Sequence, residues 1–248
     1  TMIHCAVEQS HLGTRADKKI LEAAREELST RYDIETIDVN AVGLLPVTPE
    51  MLRERTAGIV PEATVALARK IAEADRLVVA APFWDMSFPS VLKAFFENMS
   101  LYGVTFTDNG STCTGLCKCK KVMYITTRGM NIGTGSLQEQ GSPYLRALST
   151  LWSLGDVITV SAHNLDYLST EEVEERIAEA SALAKALALT FSGQFSDKQS
   201  LNILIGKAFC AVPAADDTTV AEAFLEDDRL HDFVVAVGVD TDAVVAGQ

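Results

Sequence analysis

The sequence contains 248 residues, of which 48% are hydrophobic, and carries a net charge of −13. This length suits one α/β domain with an appendage, and the hydrophobic share can build a sizeable core, which excludes global disorder. The negative charge argues against a nucleic-acid-binding protein. Because the sequence has no apolar run long enough to span a bilayer and no signal peptide before its first predicted strand, we expect a cytoplasmic location without membrane insertion.

Predicted strands and helices alternate along the first 190 residues. Short apolar or alternating runs predict strands at residues 2–7, 33–39, 77–81, 121–127 and 156–162. Apolar residues at helical spacing predict the intervening helices. Two of these have readable starts, with Thr48 before Pro49 in one and a capping box of Ser169 and Glu172 in the other. The alternation predicts a five-stranded, doubly wound parallel sheet with helices on both faces.

A change in composition near residues 192–200 predicts a boundary between two parts of the chain. Residues 1–192 form the predicted α/β domain, and residues 193–248 form a C-terminal extension whose role no motif indicates. From Ala214 onward the extension contains nine acidic residues and one basic residue, a net charge of −8. The acidity of the whole chain therefore says little about the ligand of the main domain.

The stretch 76–89 indicates where a ligand binds. Its apolar strand ends at Pro82, and a helix begins near Pro89, so the aromatic residues Phe83 and Trp84 lie in the turn between them. In open α/β sheets, ligands bind at the carboxyl ends of the strands. An exposed pair of aromatic rings is unfavourable there unless something flat covers it. The turn therefore predicts a site for a flat ligand.

Four segments in register resemble one family. They are Ala81-Pro82-Phe83-Trp84-Asp85-Met86-Ser87-Phe88-Pro89, Gly103-Val104-Thr105-Phe106, Thr127-Arg128-Gly129 after the fourth predicted strand, and Pro143-Tyr144-Leu145 before the fifth. With their spacing, they resemble the FMN-dependent NADH azoreductase and NAD(P)H quinone oxidoreductase family, over roughly the first 190 residues. The resemblance implies a flavodoxin-like fold for residues 1–192, and it does not extend to the C-terminal extension.

The resemblance implies an FMN site at the carboxyl ends of the strands. The implied cofactor-binding residues are Ser10, Thr14, Arg15 and Ala16 for the phosphate, Pro82, Phe83, Trp84, Asp85 and Met86 for the ring system, and Thr127, Arg128, Gly129 and Met130 for its pyrimidine edge. Several of these positions depart from the family pattern, among them Trp84, which replaces a Tyr and keeps a flat apolar face. Ala16 lacks the usual hydroxyl, Asp85 replaces an Asn, and Met130 replaces a Gly that can adopt positive φ.

The implied substrate-binding residues are Asp85, Met86, Phe106 and Asp108. The segment that contains Phe106 reaches across a homodimer in the family, and the residues after it depart strongly from the family pattern. We therefore expect a homodimer with a remodelled pocket for a small aromatic or quinone substrate.

The resemblance implies an enzyme that moves two electrons from NADH or NADPH to a quinone or azo acceptor by a ping-pong mechanism. In the family the flavin N5 carries the chemistry, so no side chain is expected to act as an obligate acid or base. Two alternatives stay open. In the first, the chain is a flavodoxin-like electron carrier or non-catalytic FMN-binding module for a protein partner, which the acidic extension would attract. In the second, it is a relative that binds no flavin.

Three cysteines, Cys113, Cys117 and Cys119, cluster in the predicted loop before the fourth strand. Free thiols, a redox-active disulfide and a metal site all stay open, although no nearby fourth Cys or His completes a tetrahedral set. We expect no metal. Because Lys118, Lys120 and Lys121 lie among these cysteines, we expect the thiol pKa values to be lowered.

Overall fold

The computed structural model describes the backbone of residues 2–6 and 12–191 and the side chains of residues 2–3 and 16–191. The predicted extension 193–248 lies outside the described residues. The strands are β1 Met2–Ala6, β2 Ile34–Asp38, β3 Arg76–Ala80, β4 Phe106–Asp108, β5 Cys113–Gly115, β6 Lys121–Thr127 and β7 Asp156–Ala162. The α-helices are α1 Leu12–Leu28, α2 Val39–Val42, α3 Pro49–Thr56, α4 Glu62–Glu73, α5 Ser90–Met99, α6 Gly141–Trp152 and α7 Thr170–Thr190.

Five strands form one parallel sheet in the order β2-β1-β3-β6-β7. Numbered within the sheet this is the order 2-1-3-4-5, which is the flavodoxin-like doubly wound arrangement. The predicted fold is therefore confirmed. The carboxyl ends of all five strands meet at one edge of the sheet, which we call the carboxyl edge, and their amino ends meet at the opposite edge, the amino edge.

Alternating residues of the strands divide the core into two layers. On one face, Val122 and Tyr124 of β6 pack with buried residues of α4, α5 and α6. On the other face, Met123 and Ile125 pack with buried residues of α1 and α7. Because side chains of a strand alternate between its faces, the two-sided burial requires an apolar run, which is what the sequence of β6 provides.

The helices α3 and α7 begin at the residues that the sequence predicts. The Thr48 hydroxyl accepts a hydrogen bond from the Met51 amide at 3.3 Å and caps α3. At the start of α7, Ser169 and Glu172 form the predicted capping box. The far end of α7 is also fixed, because Tyr32 and Arg76 donate hydrogen bonds to the Phe191 carbonyl oxygen at 2.7–2.9 Å. These contacts place Phe191 at the amino edge, where β3 begins.

A small antiparallel hairpin of β4 and β5 lies outside the main sheet, where the sequence predicts only a loop. The Asn109 side chain accepts hydrogen bonds from the amides of Ser111 and Thr112 and closes its turn. Gly115 lies so close to the end of α6 that a Cβ atom there would be 2.1 Å from the Trp152 carbonyl carbon. The hairpin is thus packed against α6.

The described helices include none that is both long and apolar enough to cross a membrane.

Candidate functional site at the carboxyl edge

A tight turn follows β3 and presents an aromatic ring at the carboxyl edge. The backbone groups of Trp84 and Ser87 exchange two hydrogen bonds of 2.7 and 2.9 Å. Between them, Asp85 and Met86 have φ values of 49° and 67°, which is the pattern of a type I′ turn. Trp84 remains 44% exposed. The sequence predicts the position of this turn but not its left-handed backbone, because Met is unusual at positive φ.

Two backbone amides at the tip of this turn point to a ligand. Among the described residues, the N–H groups of Asp85 and Met86 have no hydrogen-bond acceptor. The Met86 carbonyl, by contrast, accepts a hydrogen bond from the Gln140 amide at 2.8 Å. A rigid turn with two donors beside an exposed indole can bind the edge and the face of a flat heteroaromatic group.

The turn after β6 lies beside the turn after β3. The Phe83 amide donates to the Thr127 carbonyl oxygen at 3.1 Å, and the guanidinium of Arg128 lies 5.5 Å from the centre of the Phe83 ring. Arg128 is fully buried and donates hydrogen bonds to the Ile132 carbonyl oxygen at 2.8 Å and the Thr134 hydroxyl at 2.9 Å. Its charge therefore lies beneath the Phe83 ring and supports the loop 129–134.

The loop after β7 completes the edge. The Asp166 amide donates to the Gly129 carbonyl oxygen at 2.9 Å, and the Asp166 carboxylate covers the Cα atom of Gly129. A Cβ atom on Gly129 would lie 1.9 Å from an Asp166 carboxylate oxygen. A side chain at position 129 would therefore require the Asp166 carboxylate to move aside. Met130, the expected departure at the next position, is not among the non-glycine residues with positive φ in the described part of the chain.

Several large apolar side chains remain exposed on these loops. Besides Trp84 they are Met130, Leu137 and Tyr167, of which Leu137 is 91% and Tyr167 74% exposed. The Gln140–Met86 hydrogen bond holds the end of the loop that contains Leu137 against the type I′ turn. Such a concentration of exposed apolar groups on adjacent loops is typical of a ligand or partner surface.

A buried carboxyl group lies where α1 contacts the end of β6. Asp17 is 5% exposed, and neither of its oxygens meets a well-aligned donor among the described residues. Burial raises the pKa of this carboxyl to about 8, and the neighbouring side chain and backbone of Thr127 lower it only in part. At neutral pH, Asp17 is therefore mainly the uncharged acid.

A second buried acid, Glu139, lies two residues before the start of α6. One of its carboxylate oxygens accepts a hydrogen bond from the Ser142 amide at 2.8 Å, which satisfies a free donor of the first helical turn. The Tyr124 hydroxyl and this same oxygen both face the Cα atom of Gly141. Burial raises the pKa of Tyr124, with Thr126 and Arg128 acting in the opposite direction. Sequence reasoning missed Asp17 and Glu139, because no local pattern marks a carboxylate as buried.

The structure brings two of the three predicted cofactor-binding segments together. The turn 82–86 and the turn 127–130 are adjacent through the contacts of Phe83. Of the phosphate-binding segment, Ser10 lies outside the described residues, and Thr14 and Arg15 lie in α1 with side chains that are not described. Ala16 is buried in the layer of α1 and α7.

The two remaining substrate-binding predictions, Phe106 and Asp108, lie on the β4–β5 hairpin. Phe106 packs edge-on against Tyr102 with ring centres 6.1 Å apart. Neither residue contacts the turn 82–86 in any described hydrogen bond or ring pair. Their role as substrate contacts stays a prediction.

The cysteines differ from expectation in their acidity. Cys113 is exposed, whereas Cys117 and Cys119 are buried, and all three are free thiols. Burial raises the pKa of Cys117 to about 12 and that of Cys119 to about 11. The prediction that neighbouring lysines lower these pKa values is therefore wrong for both buried thiols, because burial of the thiolate dominates. What lowers the pKa of Cys119 in part is backbone hydrogen bonding and the charge of Arg76. The described residues contain no group of three or more His, Cys, Asp or Glu that could hold a metal ion.

A family model and several curated proteins are similar in sequence to this chain. A family model described as flavodoxin-like fold matches residues 2–187. The FMN-dependent NADH:quinone oxidoreductase of Clostridium perfringens is 37% identical over 121 residues, which are 48% of this chain and 61% of that protein. The protein of the same name from Staphylococcus haemolyticus is 38% identical over 118 residues, 46% of this chain and 57% of that protein. The matches thus span less than two thirds of the length of these curated relatives.

Solved structures share the fold over a longer stretch. An azoreductase from Bacillus anthracis str. Sterne has a TM-score of 0.64 at 21% identity and covers 75% of this chain and 97% of its own. An FMN-dependent NADH-azoreductase from Bacillus anthracis str. Ames Ancestor, in complex with FMN, has a TM-score of 0.62 at 20% identity and covers 75% and 99%. At this level of identity the likeness establishes the fold.

Proposed function

Because the chain belongs to the family with the flavodoxin-like fold, we propose that it binds FMN and is an NAD(P)H-dependent oxidoreductase whose acceptors are quinones or azo compounds. The single observation that carries this proposal is the type I′ turn after β3. It holds the exposed Trp84 ring and the two amides of Asp85 and Met86 at the carboxyl edge. The names of the relatives with 37–38% identity support the same activity.

The residues present fit a flavin at this edge. Trp84 offers a flat apolar face, and the two amides of the turn offer donors for heteroatoms at the edge of the ring system. Ala16, near the start of α1, supplies no hydroxyl for a phosphate, but the helix N-terminus and its backbone amides favour an anion there. Ser10, Thr14 and Arg15 keep their predicted role at this end of the site.

Bound FMN supplies the ability to accept a hydride from a nicotinamide and to reduce a second molecule. The residues of the chain orient the reactants and exclude water from between them. NADH and one proton provide two electrons and two protons, which convert a quinone to a hydroquinone and leave NAD⁺. Cleavage of an azo bond to two amines takes two such rounds. We propose a ping-pong order because donor and acceptor use the same exposed face of the site in turn.

A colour change tests this function. The protein purified with FMN is expected to be yellow, and its visible flavin absorbance should bleach when NADH is added without oxygen and return when a quinone is added. Trp84→Ala should weaken FMN binding by about tenfold, whereas Trp84→Phe should keep most of the affinity, because a flat ring remains. Ile59→Ala is a matched control, since Ile59 is an exposed apolar residue between α3 and α4. A protein that takes up no FMN would contradict the proposal.

The electron-carrier alternative gives a different result in the same experiment. A carrier is expected to oxidise NADH slowly and to take up electrons one at a time in a reductive titration. The net charge of −8 from Ala214 onward favours this alternative, because an acidic surface attracts basic protein partners. Fast bleaching by NADH with rapid turnover of a quinone would exclude it.

We also propose that two copies of the chain form the working unit. An open groove of about 540 Å³ between α3, α5 and α6 is lined by apolar and charged side chains, among them Leu52, Lys93, Tyr144 and Leu151. A surface of this mixed character suits a contact with a second copy. Light scattering on the FMN-loaded protein tests this, and a monomer at every concentration would refute it. The cytoplasmic location stays a prediction from the sequence.

A further inference from the structure

On the described loops that follow β3, β6 and β7, the exposed charged side chains are all acidic. The loops 83–87, 128–140 and 163–168 contain four charged side chains, Asp85, Arg128, Glu139 and Asp166, and no Lys. Arg128 and Glu139 are fully buried, whereas Asp85 and Asp166 are exposed. The only guanidinium of these loops therefore cannot reach a molecule that lies on the outer face of the site.

The backbone fixes Asp85 beside the exposed indole. Its φ of 49° is part of the type I′ turn, and the two hydrogen bonds between Trp84 and Ser87 close this turn on both sides. The Met86 carbonyl oxygen accepts a hydrogen bond from the Gln140 amide. Because the turn is closed in this way, the Asp85 backbone stays next to Trp84, and its exposed carboxylate lies on the same turn.

Asp166 is fixed on the neighbouring loop by a different contact. Its amide donates to the Gly129 carbonyl oxygen, and its carboxylate lies directly over the Gly129 Cα atom. Gly129 follows Arg128, whose guanidinium lies under Phe83. The two carboxylates therefore flank one continuous surface made of the turns after β3 and β6.

We propose that Asp85 and Asp166 select the electron acceptor by its charge, so that neutral and cationic flat aromatic acceptors are favoured and sulfonated or carboxylated ones are disfavoured. The inference rests on the proposed function, because it places the acceptor against the Trp84 face. A single charge a few ångströms away in a largely aqueous site changes binding by about fivefold. Attraction of a cation and repulsion of an anion multiply, so the preference for one over the other is expected to reach about tenfold or more.

The test compares azo dyes that share one azobenzene core and carry a para-trimethylammonium group, a para-sulfonate group or neither. The measured quantity is kcat/KM for each dye with saturating NADH and FMN. The ratio of the cationic to the anionic dye should be about ten or more at low ionic strength and should fall as salt is added, because salt screens exposed charges. Because both dyes meet the same enzyme, any change in cofactor loading or in the reaction with NADH cancels in this ratio.

Asp85→Asn and Asp166→Asn should each lower the ratio severalfold, and the double variant should lower it by about tenfold. Glu73→Gln is the matched control. It removes one negative charge from an exposed residue near the amino edge, and it should leave the ratio unchanged. Asn has the shape of Asp, so both variants retain the packing of the loops.

The possible results separate the two proposals. If neither a quinone nor the neutral dye is reduced, the proposed function fails and the charge inference falls with it. If a quinone is reduced but none of the dyes is, only the charge inference is overturned. If the neutral dye is reduced but the ratio is near one, or Asp85→Asn does not lower it, only the charge inference is overturned. If Glu73→Gln lowers the ratio as much as Asp85→Asn, the preference comes from the net charge of the protein and the inference is again overturned.

Discussion

Replacing Asp17 with Asn is expected to stabilise the protein, and increasingly so as the pH rises. Asp17 is buried, and its pKa rises from the ordinary 3.8 to about 8 in the folded chain. Folding at pH 7 therefore requires the carboxylate of the unfolded chain to take up a proton. Each pKa unit corresponds to 1.36 kcal/mol, so at pH 7 this uptake reduces the stability by about 4 kcal/mol. The amide side chain of the Asp17→Asn variant has the same shape and no such cost.

The direction with pH follows from the raised pKa. The folded chain holds the Asp17 proton more tightly than the unfolded chain does. The parent protein therefore has its full stability with respect to this group below about pH 3.8, and loses stability as the pH rises toward 8. The stability difference between Asp17→Asn and the parent protein should thus be small near pH 4 and largest near pH 8. Other titrating groups affect both proteins equally and cancel in the difference.

Urea unfolding at pH 4.5, 6 and 8, with the same excess of FMN, measures this difference. For slopes of about 2–3 kcal/mol per molar, the midpoint of Asp17→Asn should exceed that of the parent protein by about 1 M or more at pH 8. Lys19, a near neighbour of Asp17 in α1, is exposed and paired with Glu174, so Lys19→Gln serves as a control whose effect is small. A gain that is the same at every pH, or a loss at pH 8, would refute the reasoning.

Three further predictions concern the rest of the chain. Gly115→Ala should lower the free energy of unfolding by about 3 kcal/mol or more, because its Cβ would overlap the backbone of α6. The control Gly110→Ala, in open space at φ 86°, should lower it by only about 1 kcal/mol. Equal shifts of the thermal midpoint in the two variants would contradict this prediction. In the native protein, Cys113→Ser should remove one rapidly reacting thiol in an assay with a thiol-specific disulfide reagent, whereas Cys117→Ser should remove none, because Cys117 is buried with a raised pKa. A chain that ends one residue after Phe191 should keep the thermal midpoint and FMN affinity of the full chain, and a lower value of either would show that the α/β domain needs the extension.

The main sheet could be predicted because the burial of its strands follows from local apolar runs in the sequence. The bounds of β6 and β7, Lys121–Thr127 and Asp156–Ala162, agree with the apolar runs residue for residue. The capping box at Ser169 is likewise a local signal whose atoms are all within four residues. Such elements follow from the sequence because covering helices bury both faces of a parallel strand.

The hairpin and the interior of the site could not be predicted in the same way. The dipeptide Asn109-Gly110 is a hairpin signal, but only three residues pair on each side, and the sequence alone does not show that α6 supports them. The sequence predicts Arg128 at the pyrimidine edge of the flavin but does not show that its guanidinium is buried, because the acceptors at Ile132 and Thr134 become available only once the loop folds. The burial of Asp17 depends similarly on the packing of α1 against β6.

The donors that hold the Phe191 carbonyl have a practical consequence for attaching the protein to a solid support. Lys121 adds a contact to the Thr190 carbonyl oxygen, so α7 ends firmly at the amino edge while the loops of the candidate site lie at the other edge. The two edges are separated by the length of a strand, which is about 20 Å for seven residues. A linker joined to an electrode or bead at position 192 would hold the domain by the edge opposite the candidate site. Small molecules would then approach the loops of the candidate site from free solution.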